Sequence, residues 1–194
     1  MPFLGLTGGL GAGKSTALQA LARLGASVIS SDAVVHQLYE ERALRGAVVE
    51  RFGAEVAPGG VVDRAALAAR VFSSPDDRAW LEGILWPQVG ERVAAWLAEA
   101  RAARPAPRAA VAEVPLLFEA GLEGAYDATI AVVSDEALRR DRAASRGHAL
   151  VEERAARQLS QEEKAQRATF TVRNDGTIED LERELSSVLA KLGR

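Results

Sequence analysis

The chain has 194 residues, 48% of them hydrophobic and 26% charged, with 24 basic and 27 acidic side chains and a net charge of −3. That is the balance of an ordinary globular chain long enough to bury a sizeable core, and its mild acidity argues against a surface that binds nucleic acid through phosphates, which needs a net basic face. There is no cysteine, which removes disulfide frameworks, cysteine nucleophiles and thiolate zinc sites, and the two histidines, His36 and His148, cannot make a metal site alone. No apolar run reaches the roughly 20 residues of a membrane span, and the run from Met1 to Leu6 leads into a glycine loop instead of a secretion signal. The expectation is a cytoplasmic protein without nucleic-acid or membrane partners, and the length suits one domain with an insertion.

Phe3 to Thr7 is a short apolar run ending in glycines, and Leu18, Leu21 and Leu24 share one face of a helix from Ser15 to Leu24, so the chain opens strand, loop, helix. Ala26 to Ser30 reads as a second strand, with Asp32 just beyond its end at the start of a helical stretch. Helical periodicity then continues to the breaker Arg104-Pro105-Ala106-Pro107, interrupted by the turn Ala57-Pro58-Gly59-Gly60 and restarted at Ser74-Pro75-Asp76-Asp77. Serine at the N-cap, proline at the first helical position and acids in the first turn mark that restart. Ala109 to Val114 and Thr129 to Val133 are continuous valine-rich runs, the pattern of strands buried on both faces of a parallel sheet.

Ser134 to Arg146 follows as a basic helix, Ser160 and Glu163 have capping-box spacing, and Phe170 to Val172 is a short fifth strand. Ile178, Leu181, Leu185, Val188, Leu189 and Leu192 make one apolar stripe on a final helix expected to pack on the sheet. Alternating strands and helices predict an α/β fold with a mostly parallel sheet of about five strands flanked by helices.

Gly8-Gly9-Leu10-Gly11-Ala12-Gly13-Lys14-Ser15 satisfies the phosphate-loop pattern in its required place between a strand and a helix. Glycines let the backbone turn its N–H groups inward as a nest for phosphate oxygens at the positive end of the following helix. Lys14 then reaches the β and γ phosphates, Ser15 offers a hydroxyl to Mg²⁺, and Thr16 adds a hydrogen bond to the α phosphate. The chain has three lysines, Lys14, Lys164 and Lys191, and writes arginine everywhere else. A compact ammonium in the loop is therefore an exception to its habit, and one that suits a tight phosphate cradle. The Asn-Lys-x-Asp and Asp-x-x-Gly patterns of a GTPase are both missing. What remains is a small kinase moving a γ-phosphoryl group to a small molecule, with a non-catalytic nucleotide sensor as the alternative of a different class.

Ligands of a parallel sheet gather at the carboxyl ends of its strands, which places Asp32 and the segment Glu113 to Glu119 on the acceptor side. Asp32 there either caps a helix or orients an acceptor hydroxyl in line with the γ phosphate and accepts its proton late, since a carboxylate is a weak base. Pro115 removes a backbone donor and stops the strand, and Glu119 has the chemistry to accept a hydrogen bond from a hydroxyl of the acceptor. Leu116, Leu117 and Phe118 either line the acceptor or belong to the core, and Trp86 either stacks on the acceptor or is a buried aromatic of the helical block. Arg139, Arg142 and Arg146 share one helical face, which is either a solvated stripe or a set of arginines that fold over the triphosphate.

The run Thr7-Gly8-Gly9-Leu10-Gly11-Ala12-Gly13-Lys14-Ser15-Thr16, then Asp32, then Val114-Pro115-Leu116-Leu117-Phe118-Glu119, together resemble the dephospho-coenzyme A kinase family. Weaker echoes at Arg64-Ala65-Ala66-Leu67, Val71-Phe72, Gln158-Leu159, Glu162-Glu163-Lys164 and Asn174 extend the resemblance over nearly the whole chain. It implies a phosphate-loop kinase fold and MgATP-dependent phosphorylation of the ribose 3′-hydroxyl of dephospho-coenzyme A, the last step of coenzyme A synthesis, with no obligate protein partner. It implies catalytic roles for Asp32, Lys14, Arg142 and Arg146, and nucleotide binding by Gly8, Gly9, Gly11, Ala12, Gly13, Lys14, Ser15, Thr16 and Asn174, with Ser15 on the metal. Asn174 matches a family asparagine near the adenine; a plain turn asparagine is the other reading.

For the acceptor the resemblance implies Asp32, Arg64, Pro115, Leu116, Leu117 and Glu119. The expected organisation is one cooperative unit with a core of residues 1–33, 108–138 and 166–194, a helical acceptor insertion at 34–107 and a lid at 139–165, in which Gly147 either hinges the lid or ends a helix. The chain departs from the family pattern at His36 and Trp86 on the acceptor side, where arginine and histidine are usual, and at Thr169 and Arg173, where aspartates are usual.

Overall fold

The continuous apolar runs become strands because both of their faces are covered. In the computed structural model, which describes residues 1–144 and 158–193, β1 (Phe3–Gly8), β3 (Ala110–Glu113) and β4 (Ala128–Val133) are buried along their whole length. β2 (Ser27–Ser30) and β5 (Phe170–Arg173) form the edges and are only partly buried. All pairings are parallel, in the order β2-β3-β1-β4-β5. The register sets Ser30 and Leu6 against Glu113, Gly8 against Val132, and Val133 against Arg173, so the carboxyl ends of all five strands lie along one edge.

One face of this sheet is covered by α1 (Lys14–Arg23) and by the last helix of the chain, Ile178–Leu192, which pack on each other. Leu4, Leu6, Leu18, Leu21, Val111, Ile130, Val132, Leu181 and Leu185 form the core between them. The last helix opens with a capping box in which Thr177 and Asp180 satisfy each other's backbone N–H groups. Four residues of its expected stripe, Leu181, Leu185, Val188 and Leu189, are buried, and Leu192 packs against the core partly exposed. Ile178, the first residue of the helix, is 52% exposed, contrary to expectation, and does not join the core.

The basic helix after β4 also starts later than its pattern suggests. Ser134 and Asp135 stay outside it, Asp135 Oδ1 accepting the Ala137 N–H at 2.9 Å and Ser134 Oγ donating to the Asn174 carbonyl at 3.1 Å, and the helix runs Glu136–Ala144. The helix Gln161–Arg167 begins with the expected Ser160/Glu163 capping box and packs on β4 and β1.

The chain divides into two compact units, one of Met1–Ser30 with Leu97–Arg194 and one of Ser31–Trp96. The second contains α2 (Ser31–Glu40), α3 (Arg42–Phe52), α4 (Arg64–Phe72) and most of α5 (Pro75–Ala102), which continues into the first unit. The helices of chain positions 136–144, 161–167 and 178–192 are thus α6, α7 and α8. Within the second unit Phe52 meets Trp80 edge-on with ring centroids 5.5 Å apart, and Arg51 pairs with Asp77 at 2.7 Å above the same Trp80 ring. Asp63 caps α4 by accepting the Ala65 and Ala66 N–H groups, and Ser74 caps α5 by accepting that of Asp77. Trp86 is 57% exposed, so the burial considered for it is not found. No helix among the described residues is long and apolar enough to cross a membrane.

Leu185 is fully buried between α8 and the sheet. Leu185→Ala is expected to cost about 2 to 5 kcal/mol, seen as a lower urea midpoint at unchanged slope.

Candidate active site

The turn between β1 and α1 leaves no room for side chains at two positions. Gly11 has φ +75° and Gly13 φ +89°, in the left-handed region that favours glycine, and a Cβ on either would collide, with the Arg139 carbonyl oxygen at Gly11 and with Asn174 Nδ2 at Gly13. Ala12 is fully buried, and its N–H closes the loop on the Gly9 carbonyl at 3.2 Å. Lys14 Nζ folds back over the loop and donates to the carbonyls of Gly8 and Gly9 at 3.0 and 3.2 Å. Ser15 is exposed in the first turn of α1, beside a half-buried Thr16. That turn has no acidic residue and its N-cap, Gly13, supplies no side-chain acceptor. The orphan N–H groups and the positive end of the helix dipole are therefore available to an anion.

Elements distant in sequence hold this loop from outside. Asn174, just past β5 and 7% exposed, ties its N–H to the Val133 carbonyl and donates from Nδ2 to the Ala12 carbonyl at 2.9 Å. One N–H of the amide expected near an adenine edge is thus used on the loop backbone, where the buried Ala12 carbonyl requires a donor. Arg142 donates from Nη1 to Ser134 Oγ and the Asn174 carbonyl, both at 3.0 Å, and Nη1 lies 3.9 Å from the place a Cβ on Gly13 would take. Arg139 donates from Nε to the Leu10 carbonyl at 3.1 Å with its guanidinium against Gly9. A cavity of about 240 Å³ opens here between Gly9, Leu10, Arg139 and the stretch Gln158 to Glu162. Gln161 closes its far side by accepting the Ser134 N–H at 3.1 Å and donating to the Ser134 carbonyl at 2.9 Å. Beyond it, the Asp135 N–H, and after it Ser134 and Arg173, hold the Asp175 carboxyl below the usual carboxylate range.

The segment after β3 is less open than its sequence suggests. Leu117 is fully buried, one methyl filling the space left by the missing side chain of Gly5, and Phe118 is buried with the Arg167 guanidinium 4.9 Å above its ring. Leu117, expected at the acceptor, is therefore a core residue, whereas Leu116 is 38% exposed. Glu119 does not point a free carboxylate outward: Oε1 pairs with Lys164 at 3.0 Å and accepts the Leu159 N–H at 2.8 Å. The Pro115 carbonyl accepts from Lys164 Nζ at 2.5 Å and from Thr7 Oγ1 at 3.2 Å.

In the second unit Asp32 is exposed in the first turn of α2, two positions after the last residue of β2, and Arg64 is exposed at the start of α4. Burial pushes the nearby Tyr39 hydroxyl up to about 12, opposed by the Arg64 charge. His36 is exposed on α2. Arg146 and Gly147 lie outside the described residues.

The structure thus gathers Gly8, Gly9, Gly11, Gly13, Lys14, Arg142 and Asn174 around one loop, and joins Pro115 to Glu119 through Lys164. Sequence reasoning left Arg139 between a solvated stripe and the triphosphate, and missed Gln161 and Lys164 as parts of these assemblies. For Lys164 a signal existed, since it is one of three lysines in an arginine-rich chain.

A family model described as dephospho-CoA kinase matches residues 2–180. A dephospho-CoA kinase of Deinococcus radiodurans is 43% identical over 192 residues, covering 97% of this chain and 91% of its own. Among solved structures, TT1252 from Thermus thermophilus superposes with a TM-score of 0.80 at 36% identity, over 98% of this chain and 97% of that one. A dephospho-CoA kinase from Campylobacter jejuni has the same fold, with a TM-score of 0.69 at 23% identity over 98% and 96% of the two chains.

Gly13→Ala puts a methyl into the left-handed turn against Asn174. ATP binding by titration calorimetry is expected to weaken by about tenfold or more, and unchanged affinity would show that the loop accommodates the side chain.

Proposed function

This chain belongs to the dephospho-coenzyme A kinase family, and from that premise we propose that it transfers the γ-phosphoryl group of ATP to the ribose 3′-hydroxyl of dephospho-coenzyme A, giving coenzyme A and ADP in the final step of coenzyme A synthesis. The observation that carries the reading is the phosphate loop, built between β1 and α1 with Lys14 over its mouth, in a chain that matches the family from residue 2 to residue 180.

In the proposed reaction the ribose 3′ oxygen attacks the γ phosphorus in line, the new O–P bond forming as the bond to the β-phosphate oxygen breaks and ADP leaves. Lys14 exchanges the Gly8 and Gly9 carbonyls for phosphate oxygens, which are stronger acceptors for an ammonium. The uncapped N-terminus of α1 adds its N–H groups to the same charge. Asp32 orients the attacking hydroxyl and takes its proton as the bond forms. Arg142, held close to Gly13 by Ser134 and Asn174, and Arg146 neutralise charge that builds up on the transferring group.

The donor set suits Mg²⁺. Among the described residues no three His, Cys, Asp or Glu side chains converge on one point, while Ser15 exposes a hydroxyl beside the anion site. Mg²⁺ keeps much of its shell as water and phosphate oxygens and needs few protein ligands. Bound there, the metal would supply charge neutralisation on the β and γ phosphates.

For the acceptor we propose Arg64, Pro115 and the exposed Leu116 as binding residues beside Asp32, with Leu117 left to the core. We also place the reaction in the cytoplasm, where ATP is the phosphoryl donor.

Asp32→Asn is expected to bind ATP normally and to lower kcat by about a hundredfold or more, measured as ADP release with dephospho-coenzyme A. Unchanged turnover would remove Asp32 from the chemistry.

A further inference from the structure

Away from the phosphate loop, one buried charge on α7 reaches both β1 and the turn after β3. Lys164 of α7 is fully buried, and its Nζ donates to the Pro115 carbonyl at 2.5 Å, pairs with Glu119 Oε1 at 3.0 Å and reaches Thr7 Oγ1 at 3.4 Å. Three N–H donors thus meet three acceptors, which is what a buried ammonium needs if its lost hydration is to be replaced. Burial pushes the lysine below its ordinary range, and Glu119 opposes the shift by hydrogen bond and by charge. Glu119 Oε1 also accepts the Leu159 N–H at 2.8 Å, and its other oxygen is buried without a hydrogen-bond partner among the described residues. An arginine spreads its donors across a plane and cannot bring three of them to one point, which accounts for lysine here in a chain that writes arginine almost everywhere.

The groups that Lys164 and its partner Glu119 collect come from segments with different duties. Thr7 is the residue before Gly8, where the phosphate loop starts; Pro115 and Glu119 bound the turn after β3; and Leu159 leads into α7. Arg167, at the other end of α7, adds a cation over the Phe118 ring and an ion pair with Glu123. Both ends of α7 are therefore fastened to the stretch 115–123. Lys164 has no exposed surface and cannot itself meet a ligand in this arrangement.

We propose that Lys164 is a positioning residue for the acceptor: its ammonium fixes the backbone from Pro115 to Glu119 at the carboxyl end of β3, and through it the surface that receives dephospho-coenzyme A. The inference rests on the function proposed above. Positioning and stability separate experimentally, because removing one partner of a buried ion pair strands the other, whereas replacing both by apolar groups of similar volume is often neutral for folding. The apolar pair restores packing and none of the directed hydrogen bonds to Pro115 and Leu159.

The test is steady-state kinetics of the full chain, varying ATP and dephospho-coenzyme A separately, with thermal unfolding in parallel. Lys164→Met is expected to lower the melting temperature, and adding Glu119→Met to recover most of it. The double variant should keep a KM for dephospho-coenzyme A raised about tenfold, with the KM for ATP within about twofold of the original. Lys164→Arg should not restore acceptor binding. A double variant with the original KM for dephospho-coenzyme A would overturn the proposal and leave the pair a stability element. An equal rise in the KM for ATP would also overturn it, placing the effect on the phosphate loop through Thr7. Glu119→Gln, which keeps size and removes charge, decides the matter if the methionine variants do not fold: a selective rise in acceptor KM of about threefold is expected, and an unchanged value overturns the proposal. Failure of the unsubstituted enzyme to use dephospho-coenzyme A would instead overturn the functional reading, and that result comes before any variant is compared.

Discussion

The backbone between β1 and α1 must turn through a space too small for a Cβ, and much of the sheet unit is arranged around that turn. Left-handed glycines at positions 11 and 13 are in contact with the carbonyl of Arg139 and the side-chain amide of Asn174, which belong to elements more than a hundred residues away. The loop is thus pressed from two sides, by α6 and by the end of β5. A loop that must present its N–H groups inward has to send its carbonyls somewhere else. Here the Ala12 carbonyl goes to Asn174, that of Leu10 to Arg139, and those of Gly8 and Gly9 to Lys14. Holding the Ala12 and Leu10 carbonyls from outside limits what must rearrange when the nucleotide arrives to the exchange of Lys14 from the Gly8 and Gly9 carbonyls to phosphate oxygens.

The same economy of donors appears at the end of β3. Lys14 and Lys164 both place a single ammonium among backbone carbonyls, at the mouth of the phosphate loop and beneath the turn after β3. In the first case the carbonyls are held only until stronger acceptors arrive; in the second, burial and the Glu119 pair make the arrangement permanent. The two lysines meet the carboxyl end of β1 at neighbouring residues, Gly8 and Thr7. One strand thereby connects the nucleotide half of the site to the segment assigned to the acceptor.

How far the sequence could be read depended on whether a feature was local. Strands, helices and the capping box at Ser160 were legible because hydrophobic periodicity and capping chemistry act over a few residues, and the phosphate loop because its glycines answer a backbone requirement. The parallel five-stranded sheet followed from the alternation of strands with helices, and the burial of β3 and β4 from their continuous valine-rich runs. What stayed hidden were pairings across long stretches of chain. That Asn174 also holds the phosphate loop was not visible, because its partner, the Ala12 carbonyl, lies 162 residues away. Glu119 looked like a hydroxyl acceptor because nothing nearby in sequence announces Lys164. Leu117 could not be told from Leu116, since which of two adjacent apolar residues turns inward depends on the gap that Gly5 leaves in β1. Ile178 and Trp86 fit apolar patterns, yet both ended exposed.

The central claim is that this phosphate loop serves one acceptor. It is tested most directly by ADP release from MgATP in the presence of dephospho-coenzyme A, AMP, CMP, shikimate or gluconate, each alone, with mass spectrometry of the product. Turnover confined to dephospho-coenzyme A, with a single phosphate added at the ribose 3′ position, is the predicted result. Phosphorylation of another member of the panel with none of dephospho-coenzyme A, or addition at a different position, would contradict the account.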